Sequence, residues 1–429
     1  MIQIVCKINQ SIFSSDFISQ HRKSEKDFTR KRSLTFPHLI CFMLNMVNGS
    51  LQSELSRFFQ VIEDVHIAKN SVTAAAFCKA RKKFSFTAFT ALNKILVTTF
   101  YDSSFVQTWN GLRLLAVDSS VVALPEKNGL FVHFGKPNTV SSHPTARLSQ
   151  LYDINSKLSI DVQVCPHASA ERDLALKHLE HAKAGDLVLY DRGYPATWLF
   201  ISHQQKKVDF CARAALDYSN YVKNFMDSED LDTLVTLPCI ERSLKKCRKL
   251  ELPTTPITVR LIRVDLENGD SEVLITSLLD HELYPHKLFE ELYHQRWFIE
   301  EDYKLMKSRL EMENFSGLSV EAIEQDIHAM VLTKNIAAIA ILEAEIIAKK
   351  KFEHRKRAYK INFSYALSQL KDNVVRFVLS MGSLDLMKLF ISRIACVVNA
   401  VRPERSFKRK QDSMRSRRKR HSIAYKRVG

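Results

Sequence analysis

A chain of 429 residues, 45% hydrophobic and 26% charged, can bury a substantial core, and its 10 glycines and 11 prolines are too few for a loop-rich or disordered body. Eight cysteines scattered singly, with no Cys-x-x-Cys pair, exclude a zinc or disulfide scaffold, and Lys7 and Gln10 break the apolar run that a secretory leader would need, so the reducing cytoplasm is the expected compartment. Sixty-three Lys and Arg against 47 Asp and Glu leave a net charge of +16, a balance that suits a polyanionic partner.

Residues 1–111 read as a helical DNA-binding region. Thr35-Phe36-Pro37 followed by HLICFMLNM and Gly49 predicts a capped helix with a glycine stop. Ser50 opens a second amphipathic run, LQSELSRFFQVI, and Ser71 or Thr73 caps a third, AAAFCKARKKF. The third ends on Arg81, Lys82 and Lys83, and Arg30, Lys31 and Arg32 precede the first. Short helices with basic ends fit a DNA-binding bundle with room for a helix-turn-helix, although a solvated helix end would carry the same cations.

The texture changes over 112–225, the expected first part of an α/β core. LRLLAVD and DLVLYD are nearly unbroken apolar runs, as in strands buried on both faces, and each finishes on an aspartate. Between them SQLYDINSKLSIDVQVCP predicts a hairpin turning near Asn155-Ser156, and ERDLALKHLEHA a helix. Residues 226–285 read as a β-rich insertion, with strands TLVTLPCIE, PITVRLIRVDL and SEVLITSLL and a turn at Glu267-Asn268-Gly269-Asp270. Helical periodicity dominates 286–401, taken as the second part of the core with C-terminal helices. Its most apolar stretch, 336–348, is interrupted by Glu343 and Glu345 and too short to span a bilayer, so no membrane partner is expected. The basic tail, 402–429, holds twelve Lys or Arg and two Asp or Glu, and so carries +10 of the net charge.

Asp118 and Asp191 are the first candidate site residues. A carboxylate at the end of an apolar strand is costly unless solvated, paired or bound to metal, although each could also be a turn cap. Ser120, two positions after Asp118, disfavours an Asp-x-Asp phosphoaspartyl chemistry. The segment LYHQRWFIEEDYKLMKSRLEM is more specific. With Tyr293 at zero on an ideal helix, Arg296 falls at about 300°, Glu300 at about 340° and Lys307 at about 320°. Phe298, Ile299, Leu305, Met306 and Leu310 take roughly 120–260°, so an apolar face backs a stripe with one acid, two cations and a phenol. Salt bridges along a solvated face explain the charges but not why two cations and Tyr293 share the stripe of Glu300. Three carboxylates can hold two Mg²⁺ ions, one to activate an attacking water or 3′-hydroxyl and one to stabilise the leaving oxygen. Arg296 and Lys307 would grip neighbouring phosphates.

Asp118, the Asp191-Arg192-Gly193-Tyr194 stretch and the spaced Tyr293, Arg296, Glu300 and Lys307 resemble the DDE transposases of bacterial insertion sequences, in insertion sequence family four with its Tyr-Arg-Glu-Lys signature. FTRKRSLTFPHLICFMLN, SVTAAAFCKARKKF and the closing RPERSFKRK tail extend the resemblance over nearly the whole chain. It implies a ribonuclease-H-like mixed sheet interrupted by a β-rich insertion, for which the 109 positions from Asp191 to Glu300 leave room. It further implies Mg²⁺, with Mn²⁺ as a substitute, at Asp118, Asp191 and Glu300, and DNA contacts from Tyr293, Arg296 and Lys307. Arg192, Arg81, Lys82 and Lys83 are further candidate DNA contacts. The implied partners are the double-stranded terminal inverted repeats and target DNA, bound by a homodimer at the bacterial nucleoid, with cut-and-paste movement commonly through a hairpin. A nuclease without strand transfer and a non-catalytic DNA-binding derivative are the rival readings.

Overall fold

Side-chain caps set the starts of the N-terminal helices. The elements here are α1 (Ile2–Phe13), α2 (Ser15–His21), α3 (Phe36–Leu44), α4 (Leu51–Glu63), α5 (Ala74–Arg81) and α6 (Thr87–Asp102). Thr35, Ser50 and Thr73 each accept a hydrogen bond from a backbone N–H three residues on, at 3.3, 3.3 and 3.1 Å, as expected from the sequence. The helix expected to run on towards Gly49 instead ends at Leu44, with Asn45 as its cap. The computed structural model describes residues 1–401 except 31, 46–48, 70–71, 104–105, 140, 266–269 and 380–382. Lys31, Ser71, the turn at 267–269 and the basic tail therefore lie outside the described residues.

Two compact units are present. One comprises Met1–Ser104, Val122–Thr145 and Leu305–Gly429; the other comprises Phe105–Val121 and Ala146–Lys304. The second is built on a sheet of β1 (Arg113–Ala123), β2 (Thr145–Asp153), β3 (Leu158–Pro166), β4 (Asp186–Tyr190), β5 (Asp209–Ala214), β6 (Asp232–Leu237), β7 (Ile257–Asp265) and β8 (Ser271–Thr276), in the order β3-β2-β1-β4-β5-β8-β7-β6. β4 runs parallel to β1 and β5 parallel to β4, while β2 and β3 form the expected antiparallel hairpin. This is the expected mixed α/β core, a mixed sheet with helices around it. Leu114 to Val117 and Leu187 to Leu189 have no exposed surface, which is why these strands read as unbroken apolar runs.

The three strands expected over 226–285 all form, but not as a separate block. β8 pairs antiparallel with β5, and β7 and β6 follow, so the core sheet simply continues. A buried arginine organises this part: Arg260 forms a bidentate pair with Asp232 and donates to the carbonyl of Tyr284 at 2.8 Å. The helices interspersed with the strands are α7 (Asn128–Phe134), α8 (Glu171–His178), α9 (Thr197–Lys206), α10 (Asn220–Asp227), α11 (Glu241–Lys249), α12 (Leu288–His294) and α13 (Trp297–Ser308). The sequence reading did not anticipate α11 within the β-rich block.

The helical unit is organised on α14 (Val320–Lys351), 32 residues long and about 48 Å at 1.5 Å per residue. Its buried residues run from Ala322 to Ala344 on almost every side, because α3, α6 and α17 (Leu384–Ile394) pack around it. Polar groups inside are satisfied: Asn335 donates to Asn93 at 2.7 Å and Thr333 to the carbonyl of Leu44 at 2.9 Å. Helices α15 (Phe363–Leu370) and α16 (Asn373–Leu379) and the strand pair β9 (Tyr359–Ile361) and β10 (Val398–Ala400) complete the unit. Among the described residues no helix is long and apolar enough to cross a membrane.

Candidate active site

The sheet register places the two aspartates side by side. Pairing of β1 with β4 runs from Arg113↔Asp186 to Val117↔Tyr190 and stops there. Asp118 and Asp191 are the next residue on each strand, so they emerge together on neighbouring strands spaced about 5 Å apart. Asp191 follows the end of β4, as expected, but Asp118 does not end its strand: β1 continues to Ala123. What ends at Asp118 is the cover, since Val117 is fully buried and Asp118, Ser119 and Ser120 are half-exposed.

The backbone at Asp118 is held from below. Its carbonyl accepts from the Tyr303 hydroxyl at 2.8 Å and lies 3.4 Å from the Ser149 hydroxyl, and its carboxylate accepts from the Ser119 N–H at 2.8 Å. Tyr303 lies one turn after Glu300 on α13, so the helix bearing the third acid is fastened to the strand bearing the first. The segment expected as one continuous helix is interrupted: Tyr293 lies on α12, Gln295 and Arg296 form a turn, and Glu300 and Lys307 lie on α13. Ile299 and Met306 are buried as expected, whereas Phe298 is 49% exposed.

Arg296 ties the acids together. Its guanidinium donates to Glu300 at 2.7 Å, lies 4.0 Å from the Asp118 carboxylate and sits 5.8 Å from the Tyr293 ring centroid. The Tyr293 hydroxyl donates to the carbonyl of Tyr190 at 3.3 Å. Arg296 is 8% exposed, and its buried Nε has no hydrogen-bond partner, so one donor of a strongly anion-seeking group is unspent. Asp191 has its own cation: Arg213 on β5 donates to it at 2.7 and 3.1 Å and also pairs with Glu272.

These surroundings drive the two aspartates apart. Burial raises Asp118 to a pKa of about 6, with Asp191 and Glu300 adding to the rise and the Ser119 N–H and Arg296 opposing it. Burial also acts upward on Asp191, but the Arg192 N–H, Arg296 and Arg213 outweigh it and hold that carboxyl below its ordinary value. Three carboxylates that feel one another in a half-buried site supply the hard oxygen donors and negative charge that suit Mg²⁺ or Mn²⁺. Among the described residues no three such side chains are already gathered into a ligand cluster, and in this arrangement Arg296 is paired with Glu300 and Arg213 with Asp191. The fit to a divalent cation is one of donor type and charge.

The other expected DNA contacts are distributed differently. Arg192 is exposed beside Asp191. Lys307 lies two turns beyond Glu300 on α13, half-buried, in the helical unit. Lys82 is exposed, and Lys83 lies 3.4 Å from Asp27. Arg81 is a correction: it is 4% exposed and donates to Gln325 at 2.9 Å, Ser316 at 2.7 Å, the carbonyl of Ala322 at 3.0 Å and Asp326 at 2.9 Å. With its donors spent inside the helical unit, it is a packing residue; in sequence nothing separates it from its solvated neighbours.

Three groups near the acids escaped the sequence reading. Arg213 was signalled only by a cation inside the apolar run DFCARAA, and Tyr303 only by its position three residues after Glu300. Glu171, at the start of α8, pairs with Arg147 and bonds the hydroxyl of Ser119, and it left no local mark.

A family model described as the transposase DDE domain matches residues 109–336, more than half of the chain. The chain belongs to this transposase DDE-domain family. Over 247 residues it is 24% identical to the transposase InsG for insertion sequence element IS4 of Escherichia coli K12, covering 55% of this chain and 53% of that protein. It is 26% identical over 102 residues to the putative transposase InsZ of the same organism, covering 23% of this chain and 34% of that one. The chain thus spans about half the length of the first of these relatives and a third of the second. A piggyBac transposase in a synaptic complex with hairpin DNA is a structural neighbour at a TM-score of 0.47 and 10% identity, over 90% of this chain and 82% of that one. The matched segment of this DDE-family member contains Asp118, Asp191, Tyr293, Arg296, Glu300 and Lys307.

Proposed function

We propose that the chain is a DNA transposase that cleaves at the terminal inverted repeats of its own insertion sequence and joins the freed ends to target DNA, with Asp118, Asp191 and Glu300 as its metal-binding acids. The observation that carries the reading is the register of β1 and β4, which brings Asp118 and Asp191 out together beside the Arg296–Glu300 pair. A pair of Mg²⁺ ions held by the three acids would activate the attacking oxygen and stabilise the leaving one.

The chain's own residues have separate tasks. Asp118, whose pKa burial raises to about 6, is the acid that gains most from an added cation, whereas Asp191 is already held ionised by Arg213 and Arg296. Arg296, held between Glu300 and Asp118 with the Tyr293 ring beside its guanidinium, offers positive charge to a phosphate. Lys307 and Arg192 add positive charge along the DNA backbone. Dimerisation on paired ends and membership of the Tyr-Arg-Glu-Lys subgroup belong to the same proposal.

Strand transfer with purified protein, Mg²⁺ and a duplex ending in the element's inverted repeat tests it. Glu300→Gln is expected to reduce joined product by roughly three orders of magnitude, the loss that follows from several kcal/mol of transition-state stabilisation. Normal activity in that variant would remove Glu300 from the site. A chain that cut without joining would be a nuclease, and one that bound without cutting a DNA-binding derivative.

A further inference from the structure

We infer that α11, within the β-rich part of the sheet unit, is a second DNA-backbone surface continuous with the loop after Asp191. The inference rests on the reading of the chain as a DNA transposase. Helix α11 carries Arg242, Lys245, Lys246, Arg248 and Lys249 against a single acid, Glu241. On a 100° wheel Arg242, Lys245, Lys246 and Lys249 fall within about 100° of one another, while the buried Ser243 and Cys247 take the opposite side. The narrow small-residue stripe seats the helix and leaves the cations outward: Arg242, Lys245, Arg248 and Lys249 are all exposed. Among the described residues, Arg242, Arg248 and Lys249 make no ion pair, and Lys245 has only Glu241 at 3.9 Å.

Contacts through α8 connect this face to the site. Lys246 pairs with Asp173 at 2.5 Å and lies 5.1 Å from the Trp198 ring centroid. Arg172, next in sequence to Asp173, donates to the carbonyl of Gly193 at 2.9 Å, in the loop that begins at Asp191. Burial, and after it the charge of Arg242, disfavours the charged form of Arg172, so those two guanidiniums are close. A row of cations therefore runs from exposed Arg192 through Arg172 and Arg242 onto α11. Like charges accumulated in this way along a helix of about 13 Å gain their counter-charge from regularly spaced phosphates. Cations engaged with phosphates in this way would supply position and affinity without sequence preference.

The test is the salt dependence of binding by the full chain to a duplex carrying the inverted repeat, compared for wild type, Lys245→Gln/Lys249→Gln and the charge-matched control Lys349→Gln/Lys350→Gln on exposed residues of α14. Loss of two phosphate contacts is expected to reduce the slope of log K against log salt by about 2 in the α11 variant and leave the control unchanged. An α11 variant with the wild-type slope, or equal effects in both variants, would overturn the surface and leave the transposase reading intact. A wild-type chain that bound no duplex at all would sink both.

Discussion

Asp118 shows how one carboxyl in this site can be tuned. Its folded pKa of about 6 lies above the ordinary 3.8, so the folded chain keeps a proton that the unfolded chain loses between those values. Stability from this group is complete below about pH 4, falls as pH rises towards 6 and levels off above it, a difference worth about 3 kcal/mol. Asp118→Asn is therefore expected to melt at higher temperature than wild type at pH 8 in the absence of divalent ions, and the gap should close near pH 4. Equal melting temperatures at both pH values would show that burial does not strain this carboxylate. Arg213 acts on the other aspartate. Arg213→Gln leaves Asp191 without the cation that donates twice to its Oδ1 and is expected to reduce strand transfer roughly 10–100-fold, as loss of an outer-shell partner does. Titrating Mg²⁺ should show an altered requirement in the variant; an unchanged Mg²⁺ curve would separate Arg213 from the acids.

At the scale of elements, the cluster Arg81, Lys82 and Lys83 divides in two. Arg81 is closed in by α14, and Gly317 stands so near that an added Cβ would meet Ala322 at 2.6 Å and the guanidinium of Arg81 at 3.2 Å. Arg81→Ala would leave Asp326 without its cation and the Gln325 side-chain oxygen without its donor, and is expected to cost about 3–5 kcal/mol by urea denaturation. Lys82→Ala should leave stability within roughly 0.5 kcal/mol. Equal effects would return Arg81 to the surface set. The strands and caps were legible because they depend on neighbours a few residues away: Thr35, Ser50 and Thr73 cap by local geometry, and the apolar runs before Asp118 and Asp191 mark strands buried on both faces. Helix α11 was obscured because five cations left only Ser243, Leu244 and Cys247 to carry a helical period.

For the whole molecule, charge is divided between the described fold and the tail at 402–429 that carries +10 of it. Removing the tail is expected to flatten the salt dependence of DNA binding without changing preference for the inverted repeat, a result read from binding isotherms at several salt concentrations. An unchanged slope would place the electrostatic contact elsewhere. The sequence by itself determined the mixed α/β core and the likeness to the family and singled out the candidate acids, because residue types and spacings along one element are local properties. Only the tertiary structure decided that β6, β7 and β8 extend the core sheet, that Arg213 and Tyr303 hold the acids and that Arg81 is buried. Each of these depends on partners tens to hundreds of residues away, and pairing at that distance is set by which strand edge and which cavity remain available once the chain has packed.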